Sequence, residues 1–117
     1  MNNVTLIGRL TKDIEVRTIQ SGLKVTDFTI AIHRIGNSEK TDFVRCTAWR
    51  QSAEYLEKYA QKGFRIAVVG SINVEQWEDE DGDYHEMTKV SCSNVSILDY
   101  AAESKDSGKS NYKKSRK

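Results

Sequence analysis

Asp42-Phe43-Val44-Arg45-Cys46-Thr47-Ala48-Trp49-Arg50 is the stretch on which the fold turns. Side chains of a strand alternate between two faces, and here the alternation sorts them by chemistry. Val44, Cys46 and Ala48 form a small apolar set suited to the inside of a sheet. Phe43, Arg45, Thr47 and Trp49 fall on the opposite face, and Arg50 follows. A strand with only a structural task would turn polar residues outward. This one offers two large flat rings with a guanidinium between them. Rings beside fixed positive charge supply what unpaired nucleic-acid bases require, a stacking surface with cations for the phosphates. The plain alternative packs Phe43 and Trp49 beneath a loop or against another subunit, and this strand alone leaves both readings open.

Working outward, period-two patterning dominates the first hundred residues. Val4, Leu6, Gly8 and Leu10 form one set. Val25 and then Phe28, Ile30 and Ile32 form a second, with a phase slip near Asp27 that predicts a β-bulge. Ile66, Val68, Gly70, Ile72 and Val74 predict a long fourth strand with all five on its core phase. A last strand covers about 84–98, with Val90 and Cys92 in one phase and Val95 and Ile97 in the other. One segment reads as a helix, 53–62. Ser52 is its predicted N-cap, Ala53, Leu56, Tyr59 and Ala60 its apolar spacing, and Gly63 its stop. A short extended piece runs from Glu15 to Ile19 before the Ser21-Gly22 turn. Gly36 to Lys40 reads as a mobile loop before the third strand. Asp81-Gly82 is the turn pair of a hairpin tip spanning Glu78 to Asp83. The predicted fold class is therefore mainly all-β. Five strands with a helix between the third and fourth is the order of an OB-fold barrel, whose open face binds single strands and oligosaccharides. Such a fold does not by itself assign a function.

At 117 residues the chain is one domain with room for a tail. Hydrophobic residues make up 38%, low for a compact domain, which points to an unfolded portion. The net charge of +1 hides an asymmetry: residues 101–117 carry +4, leaving −3 on residues 1–100. We therefore expect a folded domain over 1–100 and a disordered basic tail over 101–117. Any binding face must be a local arrangement of cations on an acidic body, since nucleic-acid binders usually have a basic one. No apolar run approaches the roughly 18–20 residues of a membrane span, and the N-terminus lacks a secretory pattern, so the expected location is the cytoplasm. Cys46 and Cys92 lie far apart without metal-ligand spacing to His33 or His85, and are expected as buried reduced thiols.

Taken in order, these elements resemble the bacterial and phage single-stranded DNA-binding proteins over nearly the whole body. Asn3 to Leu10 resembles the family's opening strand, and Asp13 to Arg17 its first turn, with Ile14 where proline is usual. Ser21-Gly22 and Phe28 to Ala31 match the next hairpin. Asp42 to Trp49, Ala53-Glu54 and Lys62-Gly63 match the third strand and helix. Val69 to Ile72, Trp77 and Asp81-Gly82 match the fourth strand and its hairpin. The resemblance implies DNA-stacking rings at Phe43, Trp49 and Trp77, the last of which would otherwise read as a packing residue. It implies a homotetramer, for which the apolar first strand would suit contact between copies. Two departures stand out. The family commonly has another aromatic where this chain has Ile35-Gly36. Its typical members also end in an acidic, hydrophobic tip that recruits other enzymes, whereas this sequence ends Tyr112-Lys113-Lys114-Ser115-Arg116-Lys117. Tip-mediated recruitment is therefore not expected of it.

The expected mechanism is capture of single-stranded DNA without chemistry. Bases stack on Phe43, Trp49 and Trp77, while Arg9, Lys12, Arg17, Arg34, Arg45, Arg50 and Lys62 meet phosphates. Each cation has a plain alternative as a solvated surface charge. No cofactor and no metal are expected. A nuclease would need the Glu78–Asp83 carboxylates to hold a cation, but consecutive acids at a hairpin tip are expected to point in different directions. Neither histidine has a catalytic partner in a motif. The remaining rivals are an OB-fold assembly factor and a single-stranded RNA binder, since stacking does not separate the two nucleic acids.

Overall fold

The computed structural model describes residues 1–100, apart from the side chains at positions 37 and 38, so the tail expected over 101–117 lies outside the described residues. The strands are β1 (Val4–Leu10), β2 (Arg17–Thr18), β3 (Lys24–Arg34), β4 (Asn37–Trp49), β5 (Arg65–Glu78) and β6 (Tyr84–Ile97). Helix α1 (Gln51–Tyr59) stands between β4 and β5. β1 pairs with β3 and β5, β3 with β4, β4 with β6, and β6 with β5, so the five long strands close on themselves. This closed barrel with its single helix is the predicted OB-fold. The closing rung between β4 and β6 is parallel, with Cys46 opposite Val90 and Thr47 opposite Ser91.

The core takes one phase from each wall. Leu10, Ile30, Cys46, Ala48, Ile66, Val68 and Val90 are buried in it, and α1 adds Ala53 and Leu56. Small residues recur because walls approach closely. A Cβ on Gly70 would collide with the carbonyl oxygen of Ser91. The change of phase along β6 also has a local cause. Val69 pairs with Asn94 but Gly70 with Cys92, so Ser93 is an extra residue, and its hydroxyl donates to the Val69 carbonyl at 3.1 Å.

Several expectations are corrected. The β3–β4 pairing runs unbroken from Val25 to His33, so no bulge lies at Asp27; the register shifts instead between His33 and Arg34. The hydrophobic slip arises because Val25 and Thr26 are both fully buried. Thr26 Oγ1 donates to the Glu15 carbonyl at 2.8 Å, so chain crosses over that face of the strand. The segment 36–40 is mostly strand, β4 beginning directly after the turn at Gly36. Ser52 does not cap α1. Arg50 holds the N-cap position with no side-chain cap bond, and Ser52 lies inside the first turn. The helix ends at Tyr59, ahead of the predicted 62, and Gly63, at φ 90°, belongs to a later turn in which Phe64 N–H donates to Gln61.

The largest correction concerns β5. Ile72 and Val74 share the phase of Ile66 and Val68 yet are 44% and 53% exposed. β1 pairs with β5 only as far as Gly70, and β4 meets β6 only at Val90 and Ser91. Past those points, among the described residues, β5 and β6 continue alone as a two-stranded ribbon from Asn73 opposite Lys89 to Glu78 opposite Tyr84. At the rim, the Asn2 amide imitates one further rung: its Nδ2 donates to Ile72 O and its Oδ1 accepts from Ile72 N, both at 2.8 Å. Among the described residues no helix is long and apolar enough to cross a membrane.

Candidate nucleic-acid interface

The outward phase of β4 emerges as the sequence suggests. Phe43 is 66% and Trp49 37% exposed, and Arg45 lies open between them. At strand spacing the two rings stand about 20 Å apart along one strand. Cross-strand partners extend the rows: Phe43 faces Ala31, which faces Arg9; Trp49 faces Val25, which faces Arg17. Thr47 departs from expectation. It is buried, and its hydroxyl donates to Asp27 Oδ1 at 2.7 Å while Arg17 donates to Asp27 Oδ2 at 2.8 Å.

A groove of about 550 Å³ opens over this face, lined by Lys12, Arg17 and Arg45 with Asp13, Glu15 and Asp27 from the early part of the chain. Its other wall comes from the ribbon: Glu75, Met87 and Lys89. Arg45 Nη1 donates to the Met87 sulfur at 3.1 Å, a weak acceptor that leaves most of the guanidinium uncommitted. Lys89 Nζ lies 3.0 Å from Glu75 Oε2 and is the least exposed cation of the groove. Neither Met87 nor Lys89 was among the predicted site residues. The signal was present in the set His85, Met87, Lys89 and Ser91, the phase opposite Val90 and Cys92.

The remaining cations divide. Arg50 follows β4 at φ 56°, a backbone conformation uncommon outside glycine, with its N–H donating to Lys24 O at 2.7 Å; Trp49 and Arg50 line a second pocket. Arg34 is clamped by Asp42 through Nε and Nη2 at 3.0–3.2 Å. Hydrogen bonding in that pair raises the guanidinium above its ordinary value and lowers the carboxyl. Arg9 donates to Gly63 O at 3.0 Å and approaches Asp99 at 3.9 Å, turned from Phe43 despite sharing its row. Lys62 stands on the loop beside Asp13, which accepts its backbone N–H at 2.8 Å. The structure thus gathers Arg45, Lys12 and Arg17 around one groove, Arg17 already paired with Asp27 inside it, and turns Arg34 to Asp42 and Arg9 to Gly63 and Asp99.

Trp77 lies on the ribbon, 45% exposed, on the same face as Glu75, Met87 and Lys89. The acids at the tip correct another expectation: Asp79, Asp81 and Asp83 converge, with carboxylate oxygens within 4.8 Å of one another. Asp79 organises the turn. Its Oδ1 accepts the N–H groups of Asp81 and Asp83 at 2.9 Å each, and its Oδ2 lies 2.7 Å from His85 Nε2. The bond to His85, then the turn's N–H groups, hold its carboxyl below the ordinary range. In the core both cysteines are free and buried, as expected, and the neighbouring Cys92 and then burial push the Cys46 thiol up.

The sequence model of the Single-strand binding protein family matches residues 1–98. The chain belongs to this family. A single-stranded DNA-binding protein of Enterococcus faecalis is 38% identical over 112 residues, covering 92% of this chain and 60% of that protein. Single-stranded DNA-binding protein 1 of Streptococcus pyogenes is 39% identical over 103 residues, covering 85% and 79% respectively. The chain thus spans under two thirds of the length of the Enterococcus relative. A solved Plasmodium falciparum SSB in complex with ssDNA superimposes with a TM-score of 0.73 at 26% identity, covering 85% of this chain and 96% of that one. Family membership accounts for the barrel, and the matched region ends just after β6.

Proposed function

We propose that this chain binds single-stranded DNA without sequence preference and without catalysis, holding it open for replication, recombination or repair. One observation carries the reading: Phe43, Arg45 and Trp49 stand outward on one strand, beside a cation-bearing groove whose far wall continues to Trp77. Base stacking on such rings contributes roughly 1–3 kcal/mol per base and tolerates any base. Arg45, Lys12, Arg17 and Lys89 then meet phosphates. Binding the single strand and not the duplex draws the melting equilibrium by mass action. Relatives named for single-stranded DNA binding, and a structural neighbour solved with ssDNA, support the same reading.

The protein works in the cytoplasm as a homotetramer. Ile7 on β1 and Val69 on β5 are 56% and 38% exposed on the barrel's outer wall, away from the groove, and supply apolar surface for contact between copies. The domain over residues 1–100 binds the strand, and the net +4 of residues 101–117 adds a salt-dependent attraction by counterion release. The test is titration of tryptophan emission with poly-dT, duplex DNA and poly-U. Strong quenching by poly-dT with none by duplex is expected. Equal quenching by poly-U would move the reading to single strands of either kind, and no response to any polymer would overturn it.

A further inference from the structure

Trp77 differs from the other two exposed rings because one of its faces already has a neighbour. His85 stands directly across from it in the β5–β6 register, with ring centroids 5.5 Å apart and planes 23° from parallel. The imidazole is itself held from behind, its Nε2 lying 2.7 Å from Asp79 Oδ2. Because an ionised carboxylate only accepts, Nε2 carries the proton in that bond. Asp79 is anchored in turn by the backbone of the hairpin tip, through Asp81, Asp83 and its own N–H to Asp83 O. A hydrogen-bonded turn is thus connected, link by link, to a half-exposed indole near the end of the two-stranded ribbon.

We propose that His85, held by Asp79, is a positioning residue for strand capture, backing one face of Trp77 and leaving the other as a preset platform for a single base. An exposed tryptophan on a two-stranded ribbon has rotamers to lose when a base stacks on it, and that loss weakens binding. A ring ordered in advance avoids most of it. The backing also sets stoichiometry at this position: with the imidazole on one side, the indole takes one base and is not sandwiched between two. His85 need not touch the strand to act. The inference rests on the reading of Trp77 as a stacking ring.

The experiment is a double-mutant cycle on the full chain, with a fluorescein-labelled dT oligonucleotide read by anisotropy. His85→Ala should weaken binding about threefold to tenfold, the range of an aromatic pair converted to affinity. With Trp77→Ala already in place, His85→Ala should cost nothing further. No loss in the first case, or the same loss in both, overturns the proposal. A second arm needs no DNA. In a Trp49→Phe background, acrylamide should quench the remaining Trp77 emission more strongly after His85→Ala, and unchanged quenching overturns the backing. Asp79→Asn keeps an oxygen for the two turn N–H groups but removes the carboxylate from His85, and should raise quenching part of the way. His85→Phe, which keeps a flat ring there, should recover part of the affinity even if the alanine variant is less stable, and no recovery counts against the proposal. Should Trp77→Ala itself bind as wild type, the stacking reading of Trp77 fails, whereas the acrylamide arm still reports on the brace.

Discussion

β5 and β6 build two different things along their length. From Arg65 to Gly70, β5 is flanked by β1 and β6 and its inward residues are sealed; from Asn73 to Glu78, among the described residues, it has only β6 beside it. Ile66 is fully buried, whereas Ile72, six residues along on the same phase, is 44% exposed. The same alternation therefore encodes a barrel wall in one half and a projecting arm in the other. Burial follows from which strands end where, a property of neighbours that one strand cannot carry in its own sequence.

The sharpest way to break this contrast is a pair of truncations. Ile66→Ala should lose about 2–5 kcal/mol of stability, as for large-to-small changes in a packed core. Ile72→Ala should stay within about 1 kcal/mol, as a part-exposed site does. Urea unfolding of the two variants decides it, and equal losses would show that the ribbon is packed as tightly as the barrel.

Next in size are the rings, one on each region. Trp49→Ala on the barrel and Trp77→Ala on the ribbon should each weaken single-strand binding by about 1–3 kcal/mol with the urea midpoint close to wild type. A variant that unfolds has lost a packing residue, and its assignment to the interface then fails.

The cations sharpen the comparison further. Among the described residues Arg45 bonds only to a sulfur and faces the groove, while Arg34 is clamped by Asp42. Arg45→Ala should lower affinity for all sequences alike and reduce the slope of log K against log salt by about one. Arg34→Ala should leave that slope unchanged. Affinity titrations across salt would reverse the assignment if Arg34 moved the slope and Arg45 did not.

The smallest effects concern protons and thiols. Asp79, Asp42 and Asp99 have carboxyls held below the ordinary 3.8, chiefly by hydrogen bonds to His85, Arg34 and Arg65 respectively. As pH falls, the unfolded chain takes up these protons first. Their contribution is thus present above 3.8 and disappears as pH drops through the lowered folded values. Urea midpoints should decline across that acid window, and Asp99→Asn should flatten the decline. Cys46 and Cys92 should resist iodoacetamide until the barrel is unfolded, and EDTA should leave strand binding unchanged.

The closed barrel and the outward rings of β4 were legible because alternation in 42–50 is unambiguous and both phases are chemically distinct. Phe43, Trp49 and Trp77 are all outward, as read. What the sequence hid was contextual. Val25 and Thr26 mimic a bulge because chain covers both faces of the strand there. Ser52 has the chemistry of a cap, but Arg50, bonded to Lys24 O, already marks where the strand must turn into the helix. Lys89 is not singled out by its neighbours in sequence, its place beside Arg45 depending on a parallel rung between segments more than forty residues apart. The convergence of Asp79, Asp81 and Asp83 likewise depends on turn hydrogen bonds that charge patterning does not reveal.

Asn2 gives the arm its fulcrum. Its amide clasps both backbone groups of Ile72, just where the wall of the barrel stops. Trp77 stands five residues further out, a lever of about 17 Å at strand spacing, so a tilt of roughly 10° at the rim would carry the indole about 3 Å. That displacement is close to the thickness of a stacked base. One side chain near the start of the chain is thus bonded at the root of a ring seventy-five positions away, and Asn2→Ala is expected to leave the urea midpoint near wild type while raising acrylamide quenching of Trp77.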